Sequence, residues 1–387
     1  MVARSLDSAA QAEAAATATI PTHSHAHVHN APPSATCDVH LTMSGELQKL
    51  YVQCNPLLDI SAKVEDEFLA KYKVQRGSAS LVSEEQMGIY ADLESQPGVV
   101  YIPGGSGLNT ARVAQWVLRT HKGEFVSYVG CISDDKYGKI LKDAAEKDGV
   151  QMNVEYTTAA VTGTCGVCVT GKERALIANL AAANCLSAAH FDSPAVVAAL
   201  ASSKLFYLTG FTLTVDVNYV LKVAQNAHAV GGKFMMNLSA PFIIQFFGEQ
   251  LAKVLPYVDV LFGNYDEAIV LSKTHNWDTE DLVEITRRAS HDLPYSGSGE
   301  RLVVFTNGAN PTQFVSKSSS GTVPVPPIAL DDIVDLNGAG DAFVGGFLAA
   351  YAVGRTIQRC CEAGHYAAGV IIQHDGCTYP ESPSFTL

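Results

Sequence analysis

The residues best suited to chemistry lie in the run D-L-N-G-A-G-D-A-F at positions 335–343. Gly338 and Gly340 let the backbone turn tightly and bring bare N–H groups together. The apolar stretch that follows, residues 341–351, has the composition of a buried helix. A Gly-rich turn opening such a helix concentrates unpaired donors, Ala339 N–H among them, and the positive end of the helix dipole. That is an anion site. Asp341 falls in the first helical turn, where its ionised form is favoured. Phosphoryl transfer to an alcohol needs this combination: a carboxylate to take the hydroxyl proton, and N–H donors to stabilise charge on the moving phosphoryl oxygens. An ordinary capped helix start with glycines for close packing would use similar residues. The placement of the aspartate favours chemistry.

Two further runs carry weaker signals. Gly104-Gly105-Ser106-Gly107-Leu108-Asn109 also opens a helical pattern, and its small residues with Asn109 suit close approach of a hydroxyl-rich ligand. A plain tight turn before a helix accounts for it equally well. Thr110 stands where G-x-G-x-x-G requires its last glycine, and Phe343 breaks the other run in the same way, so neither supports a nicotinamide dehydrogenase. Asn55-Pro56-Leu57-Leu58-Asp59 follows the first strand pattern. Ligands of parallel sheets bind beyond the carboxyl ends of strands, and Asp59 has the acceptors for a vicinal diol. A surface turn built on Asn and Asp is the alternative. Residues 166–172 match G-x-x-x-x-G-K, but Glu173 replaces the Ser or Thr that would meet magnesium, and Val, Cys and Val between the glycines read as strand. Cys165 and Cys168 form a C-x-x-C with no companion ligands at zinc spacing.

These residues need elements to hold them. Short apolar, β-branched runs at 51–54, 125–132, 204–208, 234–238, 258–262 and 302–306 read as buried strands. Helical patterns at 109–120, 137–147 and 215–228 lie between several of them. Strands alternating with such helices predict an α/β fold, a mostly parallel sheet flanked by helices on both faces. The segments near 60–104 and 160–180 are strand-like without crossover helices and are expected to form a small β-sheet lid, which suits chemistry that must exclude water.

The chain has 387 residues, of which 47% are hydrophobic and 17% charged, enough to bury a sizeable core. Its 26 basic and 39 acidic residues give a formal charge of −13, which disfavours nucleic acid and anionic membranes as partners. No apolar run approaches the roughly 20 residues of a membrane span. Nine scattered cysteines and no secretory pattern suggest a reduced, cytoplasmic setting. Residues 1–48 are rich in Ala, Ser, Thr and His and are expected to be a disordered extension, with a folded domain over 49–387. His23, His25, His27 and His29 could bind a transition metal, though a solvated tail is the simpler reading. Met43 would serve as an alternative start.

Taken in order, the G-G-S-G-x-N and N-G-A-G-D turns resemble the two signatures of the ribokinase family of carbohydrate and nucleoside kinases. The match is closest to its adenosine-phosphorylating members. N-P-L-L-D-I-S-A, A-R-V-A-Q-W, T-G-T-C, L-I-A-N-L-A-A-A-N-C, N-L-S-A-P-F, G-A-G-D-A-F-V-G-G-F, G-H-Y-A-A-G and G-C-T-Y-P carry it, over residues 50 to about 381. The resemblance implies ATP as co-substrate, Mg²⁺, adenosine as acceptor, and a monomer. By it Asp341 would be the base, with Gly338, Ala339 and Gly340 as the anion hole and Arg174 reaching the ATP phosphates. Asp59, Gly105, Ser106, Asn109 and Asn337 would hold the nucleoside, Asn55 beside the purine and Phe211 and Phe242 as aromatic walls. Asn264 and Glu267 would work with Mg²⁺, and Thr306, Gly308 and His365 would lie near the ATP base and ribose. Leu336 departs from the family's usual Thr, removing a hydroxyl next to the anion hole. Another nucleoside, a furanose sugar, or a non-catalytic nucleoside-binding role remain the competing readings.

Overall fold

This computed structural model describes residues 46–387 apart from Lys172. The extension expected over residues 1–48 lies almost wholly outside the described residues, as do Met43 and the four histidines.

The strands in chain order are β1 (Leu50–Gln53), β2 (Leu57–Lys63), β3 (Ala79–Leu81), β4 (Val100–Gly104), β5 (Val126–Ser133), β6 (Gln151–Thr157), β7 (Thr164–Thr170), β8 (Glu173–Asn179), β9 (Leu205–Thr209), β10 (Lys233–Asn237), β11 (Val260–Asn264), β12 (Leu302–Asn307), β13 (Asn310–Val315) and β14 (Ser320–Val323). The helices are α1 (Asp66–Lys71), α2 (Ile89–Glu94), α3 (Ser106–Leu118), α4 (Lys136–Lys147), α5 (Pro194–Ser202), α6 (Val217–Ala229), α7 (Pro241–Phe246), α8 (Gly248–Val254), α9 (Tyr265–Thr274), α10 (Leu282–His291), α11 (Ala339–Ala352) and α12 (Ile357–Ile371).

Nine strands form one sheet in the order β14-β13-β12-β11-β10-β9-β1-β5-β6, in which β13, near one edge, runs antiparallel to both β12 and β14 and every other pairing is parallel. Its strands are apolar on both faces because helices cover both. Val52, Tyr128, Tyr207 and Phe262 point to the side of α3, α11 and α12, while Tyr51, Phe206, Phe234 and Phe305 point to the side of α6 and α10. The parallel α/β architecture read from the sequence is therefore what forms.

A second sheet, β3-β8-β7-β2-β4, stands over the carboxyl ends of the first. One face buries Ile60, Cys168, Ala175 and Ile177 against α1 and α2. The alternate residues, including Asp59 and Arg174, turn the other way, since successive side chains of a strand point to opposite faces. The same alternation separates Cys165 from Cys168, so the C-x-x-C cannot close on one ion. Residues 166–171, the P-loop look-alike, are strand β7 and the start of its turn to β8.

The chain end forms a strap across α3 and α12. Arg112 and Trp116 of α3 and Arg119, which caps its C-terminus, donate to the carbonyls of Cys377, Pro380 and Pro383, and Arg359 and Arg355 to those of Thr386 and Leu387. Trp116 also stacks on Tyr379, with ring centroids 4.9 Å apart. No helix among the described residues is long and apolar enough to cross a membrane.

Candidate active site

Beyond the carboxyl ends of the parallel strands lie, in turn, Asn55 after β1, Phe211 after β9, Phe242 at the start of α7, Asn264 closing β11, and Thr306 with Gly308 closing β12. The parallel connections put them there: every strand-to-helix turn falls at this end of the sheet. The turn into α11 faces them.

Gly338 is the N-cap of α11, at φ +77°, a left-handed conformation that L side chains resist. It reverses the chain and leaves amide groups at the helix mouth. Among the described residues, no acceptor meets the N–H of Gly338, Gly340 or Asp341. Ala339 N–H makes a long 3.3 Å contact with Leu336 O. The donor set at the helix mouth therefore includes Asp341's own amide, which the sequence reading had not counted. Leu336, which stands where the family usually has Thr, is exposed.

Asp341 is held by the opening turn of α3. Ser106 Oγ donates to Oδ1 at 2.6 Å and Asn109 Nδ2 to Oδ2 at 3.0 Å, while Thr110 Oγ1 reaches the Asp341 carbonyl at 3.2 Å. Burial lifts its pKa to about 6, with both hydrogen bonds pulling the other way. Ser106 and Asn109, expected to hold a ribose, thus act first on the carboxylate. Asn109 Oδ1 is buried with no partner, leaving an acceptor aimed into the site.

Asp59 on β2 sits where β4 passes without a side chain: a Cβ on Gly104 would stand 2.3 Å from its Oδ1. The next residue, Gly105, has φ +89°, and a Cβ there would come within 2.3 Å of Asn55 O. The two glycines let the chain pass between the first strand's exit and α3. Burial raises Asp59 to about 7; Arg112 opposes this, and Asp341 and Asp335 reinforce it. Asp59 and Asp341 therefore share one electrostatic neighbourhood.

Phe211 and Phe242 face each other with centroids 6.1 Å apart and planes inclined at 38°. Behind Asn55 is a small cavity lined by Gln53, Leu186, Thr212 and Tyr219, among others. Gln53 and Thr212 carried no sequence signal. A wider, shallow groove bounded by Lys49, Lys122 and Gln151 lies at the amino ends of β1 and β6, at the opposite end of the sheet, and has no bearing on this site.

Asn264 and Glu267 form a capping box at α9: Glu267 Oε2 accepts from Asn264 N–H at 2.9 Å, its Oε1 from Asn264 Nδ2 at 3.0 Å, and Asn264 Oδ1 from Glu267 N–H at 2.9 Å. Burial pushes Glu267 to about 7, reinforced by Asp266 and Asp341. Among the described residues no group of three His, Cys, Asp or Glu could enclose a metal ion. The all-oxygen character of this element, and a buried carboxylate with lone pairs to spare, fits Mg²⁺ in the manner that ion prefers, through its own waters and substrate phosphates.

His365 of α12 is buried, its Nε2 paired with Thr312 Oγ1 at 2.8 Å and its ring 5.4 Å from Phe343. Burial lowers its pKa, favouring the neutral ring, with Glu362 and the Pro324 backbone opposing. Thr306 Oγ1 makes only a 3.4 Å contact with Gly263 O, and Gly308 turns β12 into β13 at φ +56° with open space around it.

Asn337, expected to touch the nucleoside, donates through both N–H and Nδ2 to Asp335 Oδ1 at 2.9 Å. Arg174 is not a free guanidinium: it crosses from β8 to Asp335, 2.9 Å away, and to Asp375. Asp335, Arg112 and part of the strap fall inside runs quoted from the sequence but were given no role there.

Residues 78–384 match the model of the pfkB family of carbohydrate kinases. The chain is 44% identical over 331 residues to adenosine kinase 2 of Arabidopsis thaliana, covering 86% of this chain and 95% of that protein. Among solved structures it is similar to an adenosine kinase of Trypanosoma brucei brucei, with TM-score 0.83 and 56% identity over 85% of this chain and 100% of that one. It is also similar to one of Anopheles gambiae in complex with P1,P4-di(adenosine-5) tetraphosphate, with TM-score 0.80 and 44% identity over 87% and 98%.

Proposed function

The chain belongs to the pfkB family of carbohydrate kinases, and from that premise we propose that it transfers the γ-phosphoryl group of ATP to the 5′-hydroxyl of adenosine, yielding AMP and ADP. The observation that carries the reading is Asp341: a carboxylate at the mouth of a helix with unanswered amides, oriented through both oxygens by Ser106 and Asn109. With a pKa near 6, it is mostly ionised at neutral pH yet basic enough to take the hydroxyl proton as the oxygen attacks phosphorus. The N–H groups of Gly338, Gly340 and Asp341, with Ala339 beside them, meet charge on the transferring phosphoryl oxygens. Asp59 accepts from the ribose diol, Gly105 allows its close approach, and Asn109 Oδ1 offers a further acceptor.

Phe211 and Phe242 flank the purine, with Asn55 at its edge. Arg174 serves the phosphates of ATP, and Thr306, Gly308 and His365 border its nucleoside. Glu267, with Asn264, holds the hydration shell of Mg²⁺, which when bound neutralises phosphate charge. Asn337 acts on the turn through Asp335. Two aromatic walls suit a flat base better than a free sugar, which favours adenosine over ribose.

Purified protein given adenosine and Mg-ATP is expected to form AMP, with ribose turned over at least about a hundred-fold less efficiently, the scale of discrimination one lost pocket contact supplies. Adenosine binding in calorimetry without any phosphate transfer would instead mark a non-catalytic binder.

A further inference from the structure

Arg174 answers to two carboxylates held in different ways. Asp335 Oδ2 stands 2.9 Å from Arg174 Nε. The approach is angled so that Nε–H has no aligned acceptor, making this a charge contact and not a hydrogen bond. Asp335 has a side chain only 4% exposed and is fixed by Asn337 N–H, Asn337 Nδ2 and Gly376 N–H. Asp375 meets Nη2 of the same guanidinium, and its side chain is 71% exposed. Its backbone is anchored: Gly376 N–H donates to Asp335, Thr378 Oγ1 to Asp375 O at 3.0 Å, and Arg112 to Cys377 O at 3.1 Å. Only the Asp375 side chain can move without breaking other bonds.

We propose that Asp375 is an exchange residue for the nucleotide: its carboxylate holds the Arg174 guanidinium and yields it to a phosphate oxygen of ATP, so that Asp375 sets the apparent affinity for ATP. This rests on the kinase reading and on Arg174 as a phosphate contact. Asp335 cannot yield, since its departure would leave three donors unanswered. Asp375 can, because an ion pair with a partner mostly in water is weak and the released carboxylate is already hydrated. A phosphate brings oxygens that match the planar guanidinium fork, including the unaligned Nε–H.

Asp375→Asn removes the charge and keeps the shape. The dissociation constant of a non-hydrolysable ATP analogue, and KM for ATP, are expected to fall about three-fold, the scale of an exposed ion pair. KM for adenosine and kcat should be unchanged. In an Arg174→Ala background, Asp375→Asn should no longer alter analogue binding. An unchanged ATP affinity would overturn the proposal, as would a fall in kcat, which would make Asp375 a fixed support of Arg174. A gain that persists without Arg174 would also overturn it, since that is plain repulsion of the phosphates. Should Asp375→Asn prove unfolded by thermal melting, Asp375→Ser carries the same expectations. A wild-type protein with no adenosine phosphorylation would instead sink the kinase reading.

Discussion

At the scale of single residues, the proposal rests on two buried carboxylates, Asp341 and Asp59. Asp341→Ala removes the proton acceptor but none of the pocket walls, so turnover is expected to fall about 10³-fold while the adenosine dissociation constant stays within a few-fold. Single-turnover kinetics alongside calorimetry would separate the two. The pH profile follows from burial. Asp341 must be ionised to act as base and has a pKa of about 6, and Asp59 must be ionised to accept two hydroxyl protons and has one of about 7. Activity therefore falls as pH drops: log kcat/KM for adenosine should decline with unit slope just below pH 7 and with slope two below pH 6. Asp59→Asn should abolish the upper of the two inflections, and a profile flat to pH 5 would count against both assignments. Asp341 as candidate base was legible in the sequence, because a carboxylate beside a Gly-rich helix start has few structural uses. Its partners were not. Ser106 and Asp341 are 235 positions apart, and no local pattern reveals which oxygen a hydroxyl so distant will meet.

At the scale of elements, turns carry the constraint. Gly104→Ala would drive a methyl into the Asp59 carboxylate. We expect a loss of about 1–3 kcal/mol in urea denaturation and a KM for adenosine raised about ten-fold or more. Full retention of both would mean β2 and β4 can part at little cost. Asn264→Ala removes the cap of α9 and should lower stability by about 1 kcal/mol. Glu267→Gln loses the charge and one of the two acceptors that answer Asn264; Mg²⁺ titrations of its activity should shift to higher metal concentration, by more than in Asn264→Ala, which also breaks the capping box but keeps the carboxylate. Strand centres were legible because buried parallel strands are unbroken apolar runs, with ends displaced by one or two residues, as for β9 (204–208 expected, Leu205–Thr209 found). The β13–β14 hairpin went unread because its exposed residues Asn310, Ser320 and Thr322 dilute the apolar alternation. The N-x-x-E element was read as a metal site, although its first task is to start a helix.

At the scale of the whole molecule, the small sheet is joined to the large one at four places: residues 54–56, 105, 158–163 and 180. Such narrow joints suit a cover that shifts as one body. We expect adenosine to slow amide exchange in β2, β7 and β8 more than in β10 or β11; equal protection across both sheets would argue against a lid. The architecture was foreseeable because alternation of strand and helix admits few connections. The strap was not foreseeable, since its grip on α3 and α12 reads main-chain carbonyls, which every residue carries. From that follows a rule for how the tail can vary. The carbonyls at 377, 380 and 383 are caught by Arg112, Trp116 and Arg119, spaced about a helical turn apart, and the one at 386 by Arg359 of α12. Outside the packed side chains of Cys377, Tyr379 and Phe385, such a tail is indifferent to spelling and strict about metre: exchanging its other letters should cost little, whereas inserting one would slide each later syllable out of its clasp.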